Sequence, residues 1–580
     1  MNRFGTDSHV GEVGFGSAIC DAQVSPRYAP LALLRRALLS AVVVLTLAPA
    51  ARAADPIMPL SQVRSGMQCT GLSVVRGTTI SQFDVEVLDV IGAQAGLSGP
   101  RILVRTSGPA VDATGIGPGF SGSPILCGGR NAGAISESVG EYGNHVVLVT
   151  PIEEMLRDQP GPAPAPATAS GPARPLDALS IAGLSPRTRD LVMRAAARAK
   201  RTVLAAQPGP LGGFAPQPLV PGAAVAAMLS SGDIALGAIG TVTYRDGSKI
   251  WAFGHLFDGL GRRSLLLEDA YVFGVISNPL GIPEAGLGTY KLTSAGGHIQ
   301  GAVTSDTVAS IAGNVGAPPP AIPLTVTAEE AGTGRSVQLD SQLADERSLG
   351  LGASMSLAAP IGAAQALEQL FRDYGPATLS ACFRVKVAGR AKPIGFCNPY
   401  FDQFTPLDDI LQGASLVDAF DLPAPRIEHA VVRISARRGV TSDVLVSARA
   451  PHRVVAGKRV KLRVTVQRRR GGRRTLSVPL RVPRSVAPGS YPLVLSGTGG
   501  SATAEDSFLI EFADVFSDLF GGPTEPRTLR ELSRRVAGLH RDMGITARIR
   551  RGRQRLIHRS DDVSFEGRVR LTLRVGRARR

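Results

Sequence analysis

The chain has 580 residues, which requires several domains, and its 44% apolar content is enough to build real cores. Its 67 glycines and 42 prolines, set against only 5% aromatic residues, point to strands joined by turns. No phosphate-cradling glycine loop, zinc motif or carboxylate pair for glycoside cleavage is present, which excludes those chemistries and leaves no expected cofactor or metal. The formal charge of +17 gathers in the carboxyl half, notably in the run 468–474 and from Arg548 to Arg555.

In chain order, Arg35-Arg36 precedes a short apolar core and the small-x-small triplet Ala51-Arg52-Ala53. A basic region, about a dozen apolar residues and such a triplet fit a secretory signal better than a span, which needs about 20 apolar residues. Residues 1–53 are therefore expected to be a leader cleaved after Ala53, placing the protein outside the cell or at its envelope. An uncleaved anchor is the alternative. Export removes Cys20 and leaves Cys69, Cys127, Cys382 and Cys397, an even number in an oxidising compartment. Cys69 with Cys127 and Cys382 with Cys397 are the expected disulfides, with free buried thiols as the competing reading.

Residues 58–157 read as one β-barrel. Phe83, Val85 and Val87 alternate with Asp84 and Glu86 at period two, and Ile102-Leu103-Val104 reads as a buried strand. Within this region the loop Thr114-Gly-Ile-Gly-Pro-Gly-Phe-Ser-Gly-Ser-Pro-Ile-Leu126 sets Ser121 between glycines, ahead of an apolar strand. Gly119 and Gly122 permit a tight turn that exposes a hydroxyl beside free backbone N–H groups, which is what an acyl-transfer nucleophile needs. Ser123, two residues on, is expected to be a packing or hydrogen-bonding neighbour, and the competing reading of the whole loop is a glycine-rich turn. The Gly-x-Ser-Gly-x-Pro pattern looks like the nucleophile loop of chymotrypsin-like proteases. That likeness implies an oxyanion hole made by the N–H groups of Gly119 and Ser121.

A Pro/Ala-rich spacer with one helix, Pro186 to Arg201, occupies residues 158–220. Residues 221–330 read as a second barrel, opened by a hairpin that turns at Asp246-Gly247 and delivers Ala252-Phe-Gly-His-Leu-Phe-Asp258. His255 follows a glycine at a strand end, and imidazole is the usual base for activating serine. Its structural alternative is a histidine satisfied by a backbone carbonyl. His145 is the competing base. Residues 331–425 read as a connecting region with a helix from Ile361 to Tyr374. Regular short strands over 426–510, beginning at Val431-Val-Arg-Ile-Ser435, suggest an immunoglobulin-like sandwich, and 511–580 add a helix and two basic strands.

The Ser121 loop, Ser65-Gly-Met-Gln-Cys-Thr-Gly71, Arg101-Ile-Leu-Val-Arg-Thr-Ser-Gly-Pro109, Val149-Thr-Pro-Ile-Glu-Glu154 and the Phe-Gly-His segment at 253–255 together resemble the SpoIVB-type serine peptidase family of the chymotrypsin-like clan. The resemblance implies a double β-barrel with its site between the barrels, and Ser121 and His255 as nucleophile and base. Two departures stand out. The serine half precedes the histidine half, and the family's aspartate position falls on Ser107. Asp258, Asp269 or Asp112 would have to orient His255, unless the site is a dyad or inactive.

The expectation is thus an exported serine endopeptidase acting on protein substrates, mainly β, with Ser121, His255 and Asp258 at its site. The arginine runs suggest an anionic envelope polymer or lipid surface as a partner and, for an exported chain, no nucleic acid. The alternative is an inactive envelope-binding protein that retains a protease-like scaffold.

Overall fold

The computed structural model describes residues 55–92, 99–139, 145–157, 173–175, 178–205, 213–277, 288–294, 297–372, 375–420, 426–499, 504–517, 526–549 and 552–576. The expected leader, Cys20, Tyr374 and most of the Pro/Ala tract lie outside these residues. The described part is mainly β, with two closed six-strand barrels and further sheets.

The first barrel is made by β1 (Gln68–Arg76), β2 (Thr79–Ile91), β3 (Arg101–Ser107), β4 (Pro124–Cys127), β5 (Arg130–Val139) and β6 (Val146–Pro151). They pair in the order β1-β2-β3-β6-β5-β4, and β4 returns to β1 to close the ring. The period-two pattern of β2 is honoured: Phe83, Val85 and Val87 point into a core with Ile102, Val104, Phe120, Ile125 and Val149, and Asp84 faces solvent. Cys69 and Cys127 lie at disulfide distance, tying β1 to β4 beside the serine loop. A short helix, α1 (Ile152–Leu156), follows.

The connecting stretch contributes β7 (Ala173–Pro175), β8 (Leu179–Ala182), helix α2 (Pro186–Arg198) and β9 (Val203–Ala205). The second barrel uses β10 (Ala224–Gly232), β11 (Ala235–Asp246), β12 (Lys249–Ala252), β13 (Gly261–Asp269), β16 (Ile299–Asp306) and β17 (Ile311–Val315), with the pairing of β10 and β11 closing it. Asp246 pairs with Lys249 across the expected Gly247 turn. Between β13 and β16 a two-stranded ribbon, β14 (Val272–Ile276) and β15 (Tyr290–Thr293), leaves the barrel and joins the first one: Gly77 and Val272 exchange backbone hydrogen bonds.

The barrel sheet then runs on through β18 (Ala321–Glu330), β19 (Ser336–Ala344), β20 (Ala377–Val387), β21 (Ile394–Tyr400) and β22 (Ile427–Arg438), where Cys382 and Cys397 face each other in register at disulfide distance. Helix α3 (Ser354–Phe371) is buried along almost its whole circumference, and α4 (Thr405–Asp418) packs against it. The helix begins seven residues before the expected Ile361, running through Pro360.

Strand β22 contains Val431 to Ser435, the stretch read as opening the sandwich. Instead it pairs in parallel with β18 and antiparallel with β20. Its alternation fixes which face is buried but not which sheet receives it. Two further sheets are built from β23 (Thr441–Arg449), β24 (Val454–Val455), β25 (Arg459–Arg468), β26 (Arg473–Arg481), β27 (Gly489–Gly497) and the tail strands β28 (Gly544–Ile549), β29 (Arg555–Arg559), β30 (Val563–Glu566) and β31 (Arg568–Gly576). A four-stranded and a five-stranded sheet share a core of Leu462, Val464, Val478, Leu493, Ile545, Phe565 and Leu573. Between β27 and β28 the chain forms α5 (Ala504–Ser517) and α6 (Leu529–Gly538), which pack back on the helical layer. Among the described residues no helix is long and apolar enough to cross a membrane.

Candidate functional site

The serine loop is a series of tight turns. Phe120 N–H donates to Gly117 O at 3.0 Å and Ser123 N–H to Phe120 O at 2.9 Å, with Gly119 at φ 95° and Gly122 at φ 89°. Glycine is required at Gly122 twice over: φ lies in the left-handed region, and a Cβ would sit 1.9 Å from the Thr241 carbonyl oxygen. The same contact shows how the loop is held. Strand β11 of the second barrel lies under it, with Thr241 N–H donating to Ser121 O at 2.7 Å and the Thr243 hydroxyl to Gly122 O at 2.7 Å.

Ser121 is fully buried and its Oγ has no hydrogen-bond partner among the described residues. The N–H groups of Gly119 and Ser121 also donate to no other described group. A buried hydroxyl without a partner is costly in a folded protein, so its occurrence on a turn whose own N–H and that of Gly119 are unused is a chemical signal.

His255 is delivered against this loop. A Cβ on Gly122 would also meet Phe253 N at 2.5 Å, and the carbonyl of Gly254 accepts the Thr150 hydroxyl of the first barrel at 2.7 Å. The turn depends on consecutive positive φ values, 70° at both Phe253 and Gly254. Bulky Phe253 in that region is strained, and such strain clusters at functional sites. His255 Nδ1 contacts Leu256 O at 2.6 Å. A carbonyl only accepts, so Nδ1 carries a proton and Nε2 is the nitrogen left to act as a base. Nε2 is buried and, like Ser121 Oγ, has no hydrogen-bond partner among the described residues, so no hydrogen bond joins the two atoms. The histidine also lines a pocket with Leu179, Ile239, Phe253, Asp258 and Phe516.

Among the described residues no carboxylate hydrogen-bonds the ring of His255. Asp258 turns toward Arg201 at 3.4 Å and Arg263 at 3.3 Å, and burial, partly offset by Arg263, raises its pKa. Asp269 accepts from His298 and from Gln217 N–H, and Asp112 from Gly108 N–H. The carbonyl of His145 accepts from Thr106. The carboxylate that shapes the histidine loop is Asp306, which sequence reading did not single out. Fully buried, it accepts N–H bonds from Phe257, Asp258 and Gly259 at 2.7 to 2.8 Å.

A second residue was equally hidden. Lys291 on β15 is 2% exposed and lies over the Phe120 ring, with Nζ 4.3 Å from its centroid. Its N–H bonds Pro118 O at 2.9 Å, so the ribbon grips the serine loop. Nζ reaches Ser73 Oγ at 2.7 Å and Thr241 Oγ1 at 3.4 Å, and Ser73 Oγ accepts from Ser123 at 2.8 Å. Burial alone lowers the lysine pKa to about 7. In Tyr290-Lys291-Leu292-Thr293 the inward-facing residues are Lys291 and Thr293, the reverse of what hydropathy suggests, which is why nothing in the sequence marked it.

Among the described residues no group of His, Cys, Asp and Glu is arranged to hold a metal. In the basic run, Arg468 and Arg474 close on Asp443, and Arg469 pairs with Glu566. No family model, curated protein or solved structure matches this chain.

Proposed function

We propose that this chain is an exported serine endopeptidase of the SpoIVB type, with two chymotrypsin-like barrels in swapped order and an immunoglobulin-like accessory sandwich. The observation that carries the reading is the Ser121 turn: a buried, unpartnered hydroxyl on a turn where the N–H donors of Gly119 and Ser121 are unused. In that role Ser121 Oγ attacks a peptide carbonyl, the two N–H groups receive the oxyanion, and His255 Nε2 takes the hydroxyl proton and returns it to the leaving amine. The Leu256 carbonyl would do the orienting that a carboxylate does in a triad, so the site would work as a dyad of reduced rate. The two unpartnered atoms would come within about 2.6–3.2 Å as substrate closes the site, a tightening common from apo to bound enzymes.

A fluorophosphonate probe on the chain from residue 54 onward, with the adduct mapped by mass spectrometry, tests this. Modification of Ser121 is expected, lost in Ser121→Ala and slowed by at least about 100-fold in His255→Ala, the usual scale of general-base catalysis. The absence of a carboxylate at His255 favours a second reading, an inactive envelope-binding protein. An unmodified Ser121 in a folded protein would select it.

A further inference from the structure

We propose that Lys291 is a general base of this site, acting through Ser73 to make Ser123 a second nucleophile on the same loop. The inference rests on the reading that the 114–126 loop handles an acyl substrate, and goes beyond it by naming a different serine and a different base.

The geometry is a continuous chain of three side chains. Ser123 Oγ lies 2.8 Å from Ser73 Oγ, and Ser73 Oγ lies 2.7 Å from Lys291 Nζ. With the amine neutral, every link has one donor and one acceptor: Ser123 O–H to Ser73, and Ser73 O–H to the nitrogen lone pair. Ser121, in contrast, touches no base. All three groups are buried, Ser73 and Ser123 completely. The surroundings favour the neutral amine. The groups facing Nζ are the hydroxyls of Ser73 on β1 and Thr241 on β11 and the Phe120 ring of the loop, none of them ionised near neutral pH, and Lys291 has no carboxylate partner among the described residues. Burial brings the amine to about 7, so a substantial fraction is unprotonated at ordinary pH. A lysine kept only for packing would gain nothing from this position, since burying an ammonium without a counter-ion is costly.

The step balances without any further reactant. Ser123 Oγ bonds to the carbonyl carbon, its proton passes to Ser73 as the Ser73 proton passes to Lys291, and the amine becomes an ammonium. As the tetrahedral intermediate collapses, the ammonium returns a proton through Ser73 to the leaving amine or alkoxide, leaving an acyl ester on Ser123. Water reverses the sequence.

The fluorophosphonate experiment, read serine by serine across a pH series, decides it. The expected result is an adduct on Ser123 that forms about tenfold more slowly for each pH unit below about 7. That adduct should disappear in Lys291→Met and in Ser73→Ala, and persist in Ser121→Ala and His255→Ala. Thermal melting of each variant shows whether it folds, and the wild-type pH profile requires no variant. An adduct confined to Ser121 and unchanged by Lys291→Met overturns the relay and leaves the endopeptidase reading standing. Ser123 modification without the pH dependence also overturns it. No adduct on either serine overturns both.

Discussion

At the residue scale, the unusual group is the lysine, and its burial has a thermodynamic signature independent of any reaction. Burial lowers the folded-state pKa to about 7, below the ordinary lysine value of 10.5. Below about 7 the amine is charged in both states and the cost of burying that charge is fully present. Between about 7 and 10.5 the unfolded chain holds a proton that the folded chain has lost, so stability rises with pH across that window, by up to about 1.4 kcal/mol per unit. Lys291→Met should therefore stabilise the protein most below pH 7, with the gain shrinking toward pH 10. Denaturant melts at pH 6 and pH 9 check this, and an equal effect at both would show that the lysine is charged or hydrated in the folded state. Residue chemistry also marks where sequence reading stops. The turn at Ser121 was legible because glycine at Gly119 and Gly122 writes it into the sequence, and the placement of His255 after a strand because a hairpin turn and a glycine frame it. Asp306 and Lys291 were not, because each becomes significant only through partners tens to hundreds of positions away: backbone N–H groups at 257–259 for one and Ser73 for the other.

At the scale of elements, period-two alternation identified strands well but not their partners. β2 and the β11–β12 hairpin came out as expected, whereas β22 joined the barrel sheet because alternating apolar residues fit any sheet with a core on one side. Two basic strands were expected in the tail, but its described residues hold four, β28 to β31, and β28 and β31 flank β27 in one sheet. Cysteine pairing was legible, since an even number of cysteines lying two by two within candidate domains left few options. The two bonds staple different element pairs over separations of 58 and 15 residues. Chain-entropy arguments put their contributions at about 4 and about 3 kcal/mol respectively. The Cys69→Ala/Cys127→Ala double variant should accordingly lose more stability in denaturant melts than Cys382→Ala/Cys397→Ala. It should also slow Ser121 modification, because β4 continues directly from the serine loop. Equal losses would mean that packing, rather than loop closure, dominates both.

At the scale of the whole molecule, positive charge lies on exposed faces of the four- and five-stranded sheets. Exposed Arg459 pairs across strands with exposed Arg481, and Arg568, Arg570 and Arg574 alternate outward along β31. Like charges set opposite each other weaken a sheet, which gives the arrangement a cost. Vesicles containing anionic lipid should bind the chain from residue 54 onward, and binding should fall steeply as salt shortens the screening length to about 10 Å at 0.1 M. Salt-insensitive binding, or equal binding to neutral vesicles, would remove the anionic surface as a partner. The grip of the second barrel on the serine loop has a further consequence, one of timing. The loop is complete in the chain by residue 126, but its supports at Thr241, Phe253 and Lys291 come more than a hundred residues later. A chain synthesised amino end first thus carries its serine through synthesis without the strands that shape the turn. Any reactivity of this loop is postponed until the far half has arrived and closed over it, a built-in delay that needs no propeptide.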